Sequence, residues 1–226
     1  DYDFAASLYM GNITTGTFPT TLLYHNLEWM VKGAYDFLDS ASVSDKPFFL
    51  QFATTLTHSP FSDGTSYLGN VRATGVGLSD DLLGIMPSRE SILDRVLAAG
   101  KDSSQADITW IDDGIDAIIK KLDSIGELDN TIILYFNDNG PVPGKSSLYE
   151  LGARTFGFIW GCGPKGVVYD KLTTNIDVMP TILELAGVPE NTWPEMDGYS
   201  MGNILNNPGL TQRESVYLEI GSTRGV

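Results

Sequence analysis

Asn130-Thr131-Ile132-Ile133-Leu134-Tyr135-Phe136-Asn137-Asp138-Asn139-Gly140 is the stretch on which the fold turns. Its apolar half is β-branched and aromatic with no polar alternation, the pattern of a strand covered on both faces in a parallel sheet. Its polar half is turn chemistry, and Gly140-Pro141 takes the chain out of strand geometry. Ligands of open α/β sheets gather at the C-terminal ends of strands, which is where Asp138 and Asn139 stand.

Upstream, Pro47-Phe48-Phe49-Leu50-Gln51-Phe52-Ala53 has the same character and delivers Thr57-His58-Ser59-Pro60. Leu22, Leu23, Leu27, Met30, Val31, Ala34 and Leu38 recur at helical spacing, so Thr20 to Leu38 is expected to be an amphipathic helix. His25 lies in that helix in a half-exposed structural role. Residues 61 to 85, rich in Gly, Ser and Asp, suggest a surface excursion. Helices are expected over Ser88 to Ala99 and Gln105 to Ile125. The second should bury Ile108, Ile111, Ile115, Ile118, Ile119 and Leu122 and stop at Gly126.

Downstream, Phe156 to Trp160 is a further strand. Asn175 to Ala186 is a helix with Ile176, Met179, Ile182, Leu183 and Ala186 inward and Pro180 in its first turn or at a kink. Ser215 to Ile220 suits a last strand. Helices alternating with buried strands predict an α/β fold, a largely parallel sheet flanked by helices.

Of the 226 residues, 29 are acidic and 14 basic, a net charge of -15. Such a surface repels nucleic acid and anionic membranes and is read as a solvated face that keeps the chain soluble. No apolar run reaches the roughly 20 residues that span a bilayer. The single cysteine, Cys162, excludes an intrachain disulfide. Asn12-Ile13-Thr14 fits a glycosylation acceptor and leans toward secretion.

Asp138 and Asn139 together offer a carboxylate and an amide carbonyl, hard oxygen ligands suited to calcium or magnesium, although Asn-Asp-Asn-Gly is also ordinary turn composition. His58 is expected on the same sheet edge, where a hydrogen-bonded loop histidine is the plainer alternative. Lys145 follows in a loop returning to that edge, where its ammonium could meet a sulfate or phosphate oxygen; by default it is a surface lysine.

With their surroundings these residues resemble the sulfatase family of the alkaline phosphatase superfamily. Lys46 to Leu50 through Thr57-His58-Ser59-Pro60 is similar to the family strand ending in a substrate-contacting histidine. Ile111-Asp112-Asp113-Gly114-Ile115 resembles the start of a family helix. Asn130 to Ile133 through Asn137-Asp138-Asn139-Gly140 resembles the strand whose Asp and Asn bind calcium, with Asn137 where Ser is usual. Lys145 and Tyr149-Glu150-Leu151-Gly152-Ala153-Arg154 resemble the sulfate-contacting lysine and a Glu-Gly-Gly-x-Arg segment, Leu151 replacing the first glycine. Asp177 to Gly187 and Asp197-Gly198-Tyr199-Ser200 extend the likeness toward the end of the chain.

The resemblance implies an alkaline-phosphatase-like core, incomplete at the N-terminus. A partial catalytic domain would span residues 1–200, and 201–226 would begin the C-terminal part. It further implies calcium-assisted hydrolysis of sulfate esters, with Asp138 and Asn139 as metal ligands and His58 and Lys145 as catalytic and substrate-binding residues. The substrate would be a sulfated small molecule or glycan, in a secreted, periplasmic or lysosomal-type compartment. The family nucleophile, a formylglycine from Cys/Ser-x-Pro-x-Arg, is expected only in a missing N-terminal part, so the chain alone should be inactive.

Three segments imitate catalytic motifs. Met86-Pro87-Ser88-Arg89 has Ile85 at the convertible position, and Cys162-Gly163-Pro164-Lys165 is followed by Gly166 instead of Arg. Cys162 is therefore read as a small hydrophobe closing a strand. Gly140 to Ser146 is one residue short of a phosphate loop, and its prolines lack the amide hydrogens of such a cradle. The alternatives are a non-catalytic sulfatase-like binding or scaffold protein, and a phosphoesterase of the same superfamily.

Overall fold

Asn26 starts the first helix: its side chain accepts from the Trp29 amide at 2.9 Å, and α1 then runs Leu27–Ser42. In this computed structural model residues 3–9, 25–58, 64–141 and 143–226 are described. The first turn expected from Thr20 to Tyr24 and the Asn12-Ile13-Thr14 acceptor lie outside them, as do Ser59 and Pro60. His25 precedes the helix and is buried, not half-exposed. The chain divides into two compact units, Asp1–Asp129 and Asn130–Val226.

In the first unit α3 (Ala106–Ser124) packs on both α1 and α2 (Glu90–Ala98), around Leu27, Val31, Tyr67, Met86, Ile92, Val96, Trp110 and Ala117. The buried face of α3 is Ala106, Asp107, Trp110, Asp113, Gly114, Ala117 and Leu122, while Ile108 is 57% exposed. The face is rotated from the isoleucine stripe because polar residues and glycine claim it. Asp113 takes a two-point bond from Arg95 at 2.7 and 2.5 Å, and any side chain at Gly114 would strike Leu27. α3 stops at Gly126 as expected: with φ at 77°, Gly126 donates to Asp123 and Glu127 to Leu122, the paired closing bonds of a glycine-terminated helix.

The segment before α2 is more than a surface excursion. Tyr67 enters the core, and β1 (Ala73–Thr74) pairs with β2 (Gly77–Leu78). Asn26 Nδ2 donates to the Val71 and Ala73 carbonyls at 2.7 and 2.6 Å. Residues 47–54 are extended without a ladder, Phe52 leaning on the core and Phe49 59% exposed. They are not covered on both faces.

In the second unit β3 (Ile133–Phe136) pairs antiparallel with β4 (Gly157–Trp160) in the register Ile133 to Trp160 and Phe136 to Gly157. The short α4 (Glu150–Ala153) lies between these strands in the chain, and α5 (Val178–Leu185) and α6 (Gly202–Asn206) follow, then the hairpin of β5 (Leu218–Ile220) and β6 (Thr223–Gly225). Each ladder among the described residues is antiparallel, where the alternation of elements predicts parallel neighbours. A two-stranded ribbon has a partner on one edge of each strand only, which accounts for half-exposed Phe136 and Phe158.

Asp177, Pro180 and Thr181 are the buried residues at α5, whereas Ile176 and Met179 face solvent. The inward face is polar because Asp177 is a hub. It accepts from the amides of Thr174 and Tyr199 at 3.0 and 2.8 Å, from Gln212 Nε2 at 3.2 Å, and from the Arg213 guanidinium. Pro180 sits in the first turn, where its missing N–H costs nothing.

Candidate functional site

The ladder of β3 ends where the site begins. Asn137 still donates to the Phe156 carbonyl at 3.4 Å, and Thr155 Oγ1 donates to the Asn137 carbonyl at 3.5 Å. Asp138 and Asn139 then leave the strand, Asp138 exposed and Asn139 half-buried. Strand residues alternate sides, so this departure is what allows neighbouring side chains to share a ligand.

Beyond them the chain folds back on itself. The Gly140 amide donates to the Gly152 carbonyl at 3.0 Å, the Lys145 amide to Pro141 at 3.0 Å, and Ser147 Oγ to Gly144 at 2.7 Å. The short helix α4 (Glu150–Ala153) closes the turn. Gly140, Gly144 and Gly152 are the buried residues among those described in this loop. A Cβ on Gly140 would overlap the Leu151 carbonyl oxygen, and one on Gly152 would overlap the carbonyls of Gly144 and Ser147. Backbone thus lies directly on backbone. Asp138, Asn139 and Lys145 share this one braced loop, with the Lys145 side chain in solvent.

The same packing explains the Leu151 departure. Its side chain is 59% exposed and fits because its Cβ lies over Gly144, which has no side chain of its own, so glycine is needed at 144 and 152 and not at 151. Glu150 and Arg154 form an exposed pair at 2.6 Å along α4.

His58 belongs to the first unit and is half-buried. Its carbonyl oxygen lies 2.8 Å from Nε2 of His25, whose Nδ1 lies 2.8 Å from Thr55 Oγ1. Asp138, Asn139 and Lys145 belong to the second unit.

The imitation motifs have structural occupations. Arg89 is buried in an ion pair with Glu28, lies 4.2 Å from the Trp110 ring centre, and donates to the Gly69 carbonyl at 3.0 Å. Cys162 follows β4 as a half-buried free thiol, and burial pushes its pKa up, away from nucleophilic use.

Sequence reasoning missed the Asp177 hub, although Thr174-x-x-Asp177 is a capping box that the residue types alone could have given. It also missed the His25 contact, which joins residues too far apart in the chain for any spacing rule.

For a metal, Asp138 and Asn139 fit in kind, as hard oxygen donors on a turn. Calcium takes about six to eight such ligands, so two side chains make a minority of a shell. Among the described residues no group of three or more His, Cys, Asp or Glu gathers as a metal cluster. No helix among them is long and apolar enough to cross a membrane.

Comparison with known proteins gives one family. The Sulfatase family model matches residues 5–188. The chain is 28% identical over 222 residues to an arylsulfatase of Clostridium perfringens, covering 86% of this chain and 45% of that protein. It is 33% identical over 208 residues to the N-acetylglucosamine-6-sulfatase of Homo sapiens, covering 81% of this chain and 37% of that one. The chain therefore spans less than half the length of these relatives. Among solved structures, Ps i-CgsB in complex with k-i-k-neocarrahexaose superimposes with a TM-score of 0.54 at 22% identity, over 80% of this chain and 39% of that one. That likeness concerns the fold, and it agrees with an α/β core of the alkaline-phosphatase type, present here in part.

Proposed function

The chain belongs to the sulfatase family, and on that premise we propose that it carries the sulfate-binding and part of the metal-binding surface of a sulfuric ester hydrolase. The observation that carries this is the glycine-braced loop, which presents an acid, an amide and a lysine together in a chain with few cations. Such a loop is costly to build for a plain turn, since Gly140, Gly144 and Gly152 all stand where a side chain would strike backbone.

In this proposal Lys145 sets its ammonium against a sulfate oxygen as a point charge, offsetting the charge that builds there during ester cleavage. His58 contacts the substrate near the leaving-group oxygen, where an imidazole can share a proton. Asp138 and Asn139 would hold a calcium ion, which when bound supplies further positive charge to the sulfate oxygens. The attacking group is a different matter. No Cys/Ser-x-Pro-x-Arg occurs in the 226 residues, so the chain by itself is proposed to bind sulfate and not to turn an ester over.

A sulfated glycan or small molecule is the substrate class, supported by the relative named for N-acetylglucosamine-6-sulfate chemistry. A secreted, periplasmic or lysosomal-type setting accords with the family. The test is a titration of inorganic sulfate into the ¹⁵N-labelled chain. Amide signals from Asp138 to Lys145 should shift, and Lys145→Ala should abolish the shift. Signals that stay still in the wild type would sink the sulfate assignment.

A further inference from the structure

The chain has two histidines, and the structure ties one to the other. His25 is 1% exposed. Its Nε2 lies 2.8 Å from the carbonyl oxygen of His58, and its Nδ1 lies 2.8 Å from the Thr55 hydroxyl. A carbonyl oxygen only accepts, so the proton sits on Nε2, and in the neutral ring Nδ1 accepts from Thr55. One imidazole therefore holds both ends of the segment Thr55–His58.

What it holds them to is rigid. Asn26, the next residue, caps α1 and donates to the carbonyls of Val71 and Ala73. Leu27 and Val31 then enter the core. The segment itself has neither ladder nor helix, so its path depends on side-chain ties such as this one.

We propose that His25 is a positioning residue for His58: it fixes the backbone at His58 and so the direction in which that imidazole meets a sulfated substrate. The proposal rests on His58 being a substrate contact. A leucine at position 25 could not make either bond, whereas glutamine could still donate its amide hydrogen to the His58 carbonyl.

Long-range ¹H–¹⁵N spectra of the imidazoles test this directly, because only two rings contribute. In the wild type His25 should show the Nε2–H tautomer with a slowly exchanging proton. In His25→Leu the ring signals of His58 should move toward those of a freely solvated histidine, and in His25→Gln they should keep their wild-type positions. The indole signals of Trp29 and Trp110 report whether each variant is folded. The Nδ1–H tautomer in the wild type would overturn the proposal whether or not a variant folds. So would His58 signals that do not move in folded His25→Leu. Failure of the substrate role looks different: sulfate would leave the His58 ring unmoved in the wild type while His25→Leu still displaced it.

Discussion

Glu28 is buried, and three groups converge on it: Arg89 Nε at 2.7 Å, Arg89 Nη2, and the Trp110 indole at 3.3 Å. Breaking such a pair leaves one charge stranded in low dielectric, so Arg89→Ala is expected to cost about 3 to 5 kcal/mol. Urea unfolding followed by tryptophan fluorescence checks it. The double change Arg89→Leu with Glu28→Leu should recover only part of that loss, because the Trp110 indole and the Gly69 carbonyl also lose a partner. Full recovery would show that the polar contacts contribute nothing beyond the pair.

A second prediction at this scale concerns pH. Burial pushes the Tyr9 phenol up to about 12, against an ordinary value of 10.0. Between those values the unfolded chain releases the Tyr9 proton and the folded chain keeps it. Stability attributable to Tyr9 is then complete below about pH 10 and falls as pH rises toward 12, by up to about 2 kcal/mol. Wild type minus Tyr9→Phe, measured by urea unfolding from pH 9 to 11, should decline with pH; a flat difference contradicts the shift.

At the scale of elements, the helices were legible and their faces were not. Periodicity located α2, α3 and α5 closely, since apolar spacing marks where a helix is. It misjudged which side is buried at α3 and α5. Asp113 and Asp177 are inside because arginines meet them there, and a pattern that scores only apolar residues cannot see that. The strands β3, β4 and β5 were placed well along the chain, whereas Pro47 to Ala53 forms no ladder and the β1–β2 hairpin and β6 were not foreseen, because pairing depends on partners that local pattern does not reveal.

The site loop divides in the same way. Asp138, Asn139 and Lys145 could be read from residue types and from the family resemblance, while the bracing glycines became legible only with Gly140 lying on Leu151. Gly140→Ala is therefore expected to dislodge the loop and cost at least about 2 kcal/mol, the range for overpacking where backbone must yield. Thermal unfolding and the sulfate titration should both register it. Wild-type stability together with wild-type sulfate shifts would refute the bracing role.

For the whole molecule the net charge of -15 is the governing quantity. Self-repulsion on that scale should outweigh the exposed ion pairs, each worth about 0 to 1 kcal/mol. Raising the ionic strength from about 0.01 to about 0.15 M shortens the screening length from roughly 30 to roughly 8 Å and should raise Tm. A fall in Tm would mean that the exposed pairs dominate.

The same charge bears on metal binding, because an acidic surface collects calcium loosely and only a comparison isolates the loop. The most direct measurement is isothermal titration of calcium into the chain beside an Asp138→Ala, Asn139→Ala double variant. Weak binding by the wild type, on the order of a millimolar for so few ligands, and its loss in the variant are the expected results. Equal heats from the two proteins, or none from either, would contradict a metal-binding role for this loop within the chain.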